Sequence, residues 1–185
     1  MNESLMLREM CFNVMKASGA ICIIGAFAGF SYVWNRQLKR RLVHIRDLIQ
    51  LMSLLKGEIE YQYTALPEAL IRIGGQVEGS CGEWFFETGQ RMSHCEGLGF
   101  QELWNEQLEI LKQQTDLKAS DIADIERLGG QLSKPDRKTQ LGALELYLDG
   151  LKRQENTLIQ ELPGKMKLVT TMSVLAALFI IVLLI

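Results

Sequence analysis

Apolar residues collect at the two ends of the chain and recur at helical spacing between them. Residues 17–35 form a run of 19 without a charge between Lys16 and Arg36. As a helix this run is about 28 Å long at 1.5 Å per residue, close to the ~30 Å hydrocarbon core of a bilayer. The last 18 residues, from Leu168, again carry no charge, and 13 of them are Leu, Ile, Val, Met or Phe. That composition favours insertion into lipid.

From Arg36 to Tyr63 there is no proline and one glycine, and Leu38, Leu42, Ile45, Ile49, Met52 and Ile59 recur in fours and threes, interrupted by Lys56. The spacing predicts one long helix over 36–63 with a single apolar seam. Leu141, Leu144, Leu148, Leu151, Leu158 and Leu162 repeat the pattern with Glu155 in the missing position. They predict a return helix over 137–162, broken by Pro163-Gly164 before the second apolar run. Each long helix has one face to hide and both meet the same membrane surface, so they should pack antiparallel as a stalk. Ile45 and Ile49 should then be buried near Leu158 and Leu151.

Four shorter helices are expected between them. The first opens at Pro67, in a first-turn position, and runs to about Gln76, with Gly74-Gly75 ending it. The second, Glu83 to Cys95, carries Trp84, Phe85, Thr88 and Met92 on one side; Gly97-Leu98-Gly99 separates it from a third, Phe100 to Thr115, with Leu103, Trp104, Leu108 and Leu111. The fourth is capped by Ser120 and runs through Leu128, with Asp121 and Asp124 early and Arg127 late, as the helix dipole prefers. Ser133-Lys134-Pro135-Asp136 forms a turn, with Asp136 capping the return helix. The expected fold is all-α: an antiparallel helical bundle of about six helices between N- and C-terminal transmembrane helices. Trp84, Phe85 and Trp104 fall at the buried phase and belong to the core.

Charge then orients the chain. Arg36, Lys39, Arg40, Arg41 and Arg46 follow the first apolar run with no acid among them, and Lys165 and Lys167 precede the second. Positive flanks on both sides of the middle region predict a short non-cytoplasmic tail at 1–16, spans at 17–35 and 168–185, and a cytoplasmic helical domain at 36–167. Ala26-Phe27-Ala28 has the small-x-small look of a signal-peptide cleavage site, but the basic cluster beyond it resists export. Met15 is an alternative start directly before the apolar run. Gly25-x-x-x-Gly29 permits close helix approach in lipid, and glycine is in any case common in spanning helices.

The basic ends suit anionic lipid headgroups. Residues 47–151 instead hold 18 Asp+Glu and nine Lys+Arg, net −9, either a docking surface for a basic partner or a solvated one. With 20 Lys+Arg against 22 Asp+Glu and a pI near 5.8, the chain lacks the basic excess of a nucleic-acid binder. Cys11, Cys22, Cys81 and Cys95 form no Cys-x-x-Cys pair. His94-Cys95 with Cys81 falls short of the four ligands of a structural zinc, so plain reduced thiols and no cofactor are expected. Neither a phosphate loop, a nucleophile elbow nor a His-Glu-x-x-His helix occurs; His44 and His94 are far apart, and Glu58 and Glu60 point to different sides of their helix. A non-enzymatic protein is expected.

Two stretches carry a specific resemblance. Leu54-Leu55-Lys56-Gly57-Glu58-Ile59-Glu60-Tyr61 with Thr64-Ala65-Leu66-Pro67-Glu68-Ala69-Leu70, and Leu128-Gly129-Gly130-Gln131-Leu132-Ser133-Lys134-Pro135-Asp136-Arg137-Lys138-Thr139-Gln140, resemble the stage III sporulation protein AB family over about residues 15–185. The family often has Thr-Pro-Leu where Thr64-Ala65-Leu66 stands, and Leu-Gly where Leu132-Ser133 stands. The resemblance implies a component of the channel joining mother cell and forespore, similar to the platform proteins of type II secretion. It implies partnership with a cytoplasmic ATPase, stage III sporulation protein AA, and with other channel membrane proteins, and a place in the mother-cell membrane around the forespore; homo-oligomers are compatible with it. Glu58, Tyr61, Pro67 and Glu68, near the far end of the first long helix, are the candidate docking residues. Pro67 and Glu68 would equally stabilise a helix start with no partner. Asp136, Arg137 and Gln140 form a candidate turn and cap. The competing reading is a membrane-anchored helical sensor or regulator.

Overall fold

A computed structural model describes residues 3–184 apart from Tyr63 and residues 95–98; the side chains of residues 3–24, 27, 28, 38, 177, 181, 183 and 184 lie outside the described set. The described residues form six α-helices and no strand. These are α1 (Glu3–Gly57), α2 (Leu66–Gly74), α3 (Ser80–Ser93), α4 (Phe100–Gln114), α5 (Ala119–Leu132) and α6 (Arg137–Leu184), with a π-helical turn at Glu58–Gln62 between α1 and α2. The expected all-α bundle is thus present. Cys95, Gly97 and Leu98, at the expected junction of the second and third short helices, lie outside the described residues.

Four local expectations are corrected. The first long helix ends as an α-helix at Gly57 rather than continuing to 63. The wider turn that follows takes its carbonyls out of the regular ladder, and the Glu60 carbonyl accepts a hydrogen bond from the Arg137 guanidinium. Pro163-Gly164 does not break the return helix, which runs through Pro163. Proline removes a single N–H and crowds a single carbonyl. Pro163, Gly164 and Ile159 are exposed, so that defect is not buried, and Leu158 and Leu162 still pack inward. Finally, α5 is capped from within: Lys118 is its N-cap residue, and the Asp121 carboxylate, not Ser120, reaches back to accept the Lys118 N–H at 2.8 Å. α5 also passes through Gly129-Gly130 to Leu132 rather than ending at Leu128, and at Gly129 a Cβ would strike the Trp104 indole.

The chain divides into two units, Lys39–Ile159 and Met1–Leu38 with Gln160–Ile185. In the first, Arg46 meets Glu155 and Lys56 meets Glu145, each at 2.7 Å. Ten residues forward on α1 match ten residues back on α6, the signature of an antiparallel pair. α2 packs on α3, α3 on α4 and α4 on α5. Ile45, Leu48, Leu51, Met52 and Leu55 of α1 are fully buried, with Leu144, Leu148, Leu151 and Leu158 of α6 in the same core. Ile49 is only partly buried. The buried arc of α1 is wider than the seam read from the sequence, because α1 is covered by α6 and also by the short helices, with Arg41 reaching Asp121 of α5 and the His44 carbonyl meeting Cys81 of α3.

Trp84, Phe85 and Trp104 lie in the core as expected. The Trp84 and Trp104 rings meet edge-on at 4.8 Å between centroids, Phe100 stacks on Trp104 at 5.6 Å, and the Trp104 Nε1 donates to the Ile125 carbonyl at 3.1 Å. Close packing of α2 on α3 depends on Gly82 and Gly89, where a Cβ would strike the Val77 and Pro67 carbonyls.

The second unit has the opposite polarity. Ser31 donates to Ser173 at 2.7 Å and both serines are buried. Phe30, Tyr32, Val33, Trp34, Leu168, Met172, Val174, Leu175, Leu178, Phe179 and Val182 are exposed. Among the described residues, α6 is a helix long and apolar enough to cross a membrane. The side chains of most of the first apolar run lie outside the described residues.

Ile45→Ala or Leu48→Ala should destabilise the body by about 2–5 kcal/mol, the usual cost of emptying a packed aliphatic site. Ile49→Ala should cost clearly less; denaturant unfolding of the purified full chain in detergent measures both.

Candidate functional site

The two signature stretches meet at one corner of the bundle. One supplies the end of α1, the π-turn and the start of α2; the other supplies the turn between α5 and α6. Arg137, first residue of α6, joins them through the Glu60 carbonyl.

Each side of the corner carries its own hydrogen-bond network. Glu58 accepts from the Arg72 guanidinium at 2.9 Å and from the Thr64 hydroxyl at 3.1 Å, while Arg72 also reaches the Gln62 side-chain carbonyl at 3.0 Å. The chain reverses direction between Glu58 and α2, and this network holds the reversal. On the other side, the Asp136 carboxylate accepts the Thr139 N–H at 3.0 Å and the Lys138 N–H at 3.3 Å, and the Thr139 hydroxyl also donates to it. The Thr139 hydroxyl and N–H hold the Asp136 carboxyl below its ordinary pKa. The Gln140 amide donates to the Leu132 and Lys134 carbonyls, each at 2.8 Å, closing the turn.

Of the four candidate docking residues, Glu58 is therefore engaged inside the corner, and Pro67 is partly buried in the first turn of α2. Tyr61 is 74% exposed, and Glu68 is exposed as well. Arg72 stands 14 residues after Glu58, with no periodic relation that marks it as a partner in the sequence.

A second polar centre joins three helices. Asp121, 3% exposed, takes both ends of a bidentate fork from Arg41, Nε and Nη2 at 3.1 Å each, and the Gln154 amide at 2.6 Å, besides the Lys118 N–H. Burial opposes ionisation of this carboxyl, but the Arg41, Lys118 and Gln154 hydrogen bonds outweigh it and hold the pKa below the ordinary value. Arg41, read from the sequence as part of the basic end, is thus occupied by an internal partner.

His94 is exposed at the end of α3, its Nδ1 2.7 Å from the Gln90 carbonyl. Cys81 is a buried free thiol in the first turn of α3. Between α5 and α6 lies a cleft of about 660 Å³ lined by Leu128, Ala143, Leu146 and Tyr147, with Arg127 and Arg153 at its polar edge. No residue of the cleft was marked as a site by the sequence.

The family model for stage III sporulation protein AB matches residues 16–185. The chain belongs to the stage III sporulation protein AB family. The fold is also that of a solved structure of a stage III sporulation protein AB (SpoIIIAB), with a TM-score of 0.61 and 24% identity over 66% of this chain and 96% of that one. No curated protein is significantly similar in sequence. Membership makes this a sporulation-related protein of an assembly family rather than of an enzyme family. Within the family frame, both signature stretches serve the same corner.

Two outcomes test this geometry. Glu58→Lys, which sets two cations against each other at Arg72, should lower the melting temperature, whereas Tyr61→Ala should leave it within about a degree or two, as exposed substitutions usually do. A carboxyl with a depressed folded pKa contributes stability above its unfolded value, near 3.9, and loses it as pH falls through the folded value. The unfolding free-energy gap between the native protein and Asp121→Asn should therefore be constant at neutral pH and shrink below about pH 4; a pH series of denaturant melts reads it.

Proposed function

We propose that the chain is a non-enzymatic, membrane-anchored platform of the mother cell-forespore channel, coupling a cytoplasmic secretion-type ATPase to channel components in the membrane. The observation that carries the anchor is the inverted polarity of the terminal helices. Buried serines hydrogen-bonded to each other beneath an exposed shell of Leu, Val, Phe and Met suit lipid and not water. Tyr32 and Trp34, just before the basic residues, suit a headgroup interface. With positive flanks facing the body, residues 36–167 are cytoplasmic in this reading, in the mother cell.

The corner supports docking by its rigidity. Its polar groups are spent on one another, so its shape is set before a partner arrives, and Tyr61 and Glu68 remain outward. An exposed tyrosine and an exposed carboxylate on a pre-organised turn are economical contacts for a motor that must push or turn against a fixed stator. The partner, a stage III sporulation protein AA-like ATPase, and the other channel proteins come from the family resemblance. A second reading, a membrane-anchored sensor, is favoured by the α5–α6 cleft, whose volume of about 660 Å³ falls in the range of small-molecule sites.

Full-length protein in detergent or nanodiscs should capture the ATPase, and Tyr61→Ala with Glu68→Lys should weaken capture about tenfold or more, roughly the loss of one good interface contact, with the melting temperature retained. Binding should also fall with added salt if Glu68 meets a cation. Unchanged capture by this folded double mutant would remove the corner from the interface.

A further inference from the structure

His44 and Asp47 stand at i and i+3 on α1 and so share a face. Gly79, at φ +92° and ψ −178°, turns the chain so that the first turn of α3 meets that face and delivers Cys81 to it; only glycine enters this backbone region readily. One ligand atom each from His44, Asp47 and Cys81 lies within 4.8 Å of the other two.

The three groups have little to do with one another as they stand. The His44 Nδ1 is 4.0 Å from the Asp47 carboxylate, beyond hydrogen-bond reach. That nitrogen is buried and has no hydrogen-bond partner. The Cys81 thiol makes one long contact, 3.9 Å, to the His44 carbonyl. A bundle that needed only packing between α1 and α3 would be served better by apolar side chains, since an unpaired buried polar atom costs stability.

We propose that His44, Asp47 and Cys81 form a three-ligand site for a thiophilic divalent cation of the zinc class, with a solvent water completing four-coordination. One sulfur, one imidazole nitrogen and one carboxylate oxygen are a borderline-soft donor set suited to such an ion, and three protein ligands plus water is a familiar open arrangement. Ligand bonds of about 2.0–2.3 Å require the donors to draw in by roughly an ångström, which side-chain rotation supplies. His44 and Asp47 are partly exposed and Cys81 is buried, so the ion enters from the α1 side and meets the sulfur last. As the metal–sulfur bond forms, the thiol proton leaves to solvent, one per ion. The site would clamp α3 to α1 and make the body's stability depend on metal supply.

The test uses the full chain in detergent with Cys11, Cys22 and Cys95 replaced by Ser, titrated with Co²⁺ as the spectroscopic probe and Zn²⁺ as competitor. One equivalent of Co²⁺ should give a near-ultraviolet thiolate-to-cobalt charge-transfer band and strong visible bands of tetrahedral cobalt, both erased by Zn²⁺. Cys81→Ser should abolish the charge-transfer band, and His44→Ala and Asp47→Ala should each weaken Co²⁺ binding beyond the about tenfold typical of losing an outer-sphere partner. Zn²⁺ should raise the melting temperature of the parent and not that of Cys81→Ser. Absence of the charge-transfer band in the folded parent overturns the proposal. So does full-strength cobalt binding in His44→Ala and Asp47→Ala, whose partly exposed sites keep the test valid should Cys81→Ser fail to fold.

Discussion

One carboxylate sets the terms for the body of this protein. Asp121 is buried, and it is stable as an anion only because Arg41 of α1, the backbone N–H of Lys118 and Gln154 of α6 all point at it. Removing a carboxylate from water costs several kcal/mol, recovered only with every partner in place. Leucine seams tolerate a slip of one helical turn, since each position offers another aliphatic side chain. A buried ion with fixed hydrogen-bond directions does not: sliding α6 would strand Asp121 beside the wrong turn. The antiparallel pair and α5 are therefore registered together at this point, and the Arg46–Glu155 and Lys56–Glu145 contacts fall into the same alignment.

The corner that joins the two signature stretches extends this logic to the chain reversals. Glu58, Thr64, Gln62 and Arg72 fasten the exit from α1, and Asp136, Thr139 and Gln140 fasten the entry to α6. Arg137 then ties entry to exit through a carbonyl that the π-turn leaves available. A signature rich in polar residues here reads as a folding requirement first. Tyr61 and Glu68 stay exposed, outside this network.

The terminal helices obey the reverse rule within the same chain. In the body, leucines are inside and charges outside, because water rewards burial of apolar surface. In the paired terminal segments, two serines are inside and the bulky apolar side chains are outside. α6 carries both patterns in a single helix, with Pro163 lying where one gives way to the other. A proline is tolerated there because its missing hydrogen bond faces outward rather than into a core.

Much of this was legible in the sequence by itself. Periodicity determined the all-α class, the two long helices, the four short ones and the aromatic core of Trp84, Phe85 and Trp104, because helical spacing of apolar residues is a local property of the chain. The two motif stretches determined the family. Only the tertiary structure decided which motif residues are occupied and which are free. Glu58 and Glu68 look alike in sequence, and it is Arg72, brought back by the reversal, that takes one and leaves the other. The same holds for Arg41, drawn from a basic cluster to a buried anion 80 residues away, and for Cys81, set beside His44 and Asp47 rather than His94. Side-chain partners across helices are fixed by packing register, a long-range quantity that depends on every helix at once and leaves no period in the sequence.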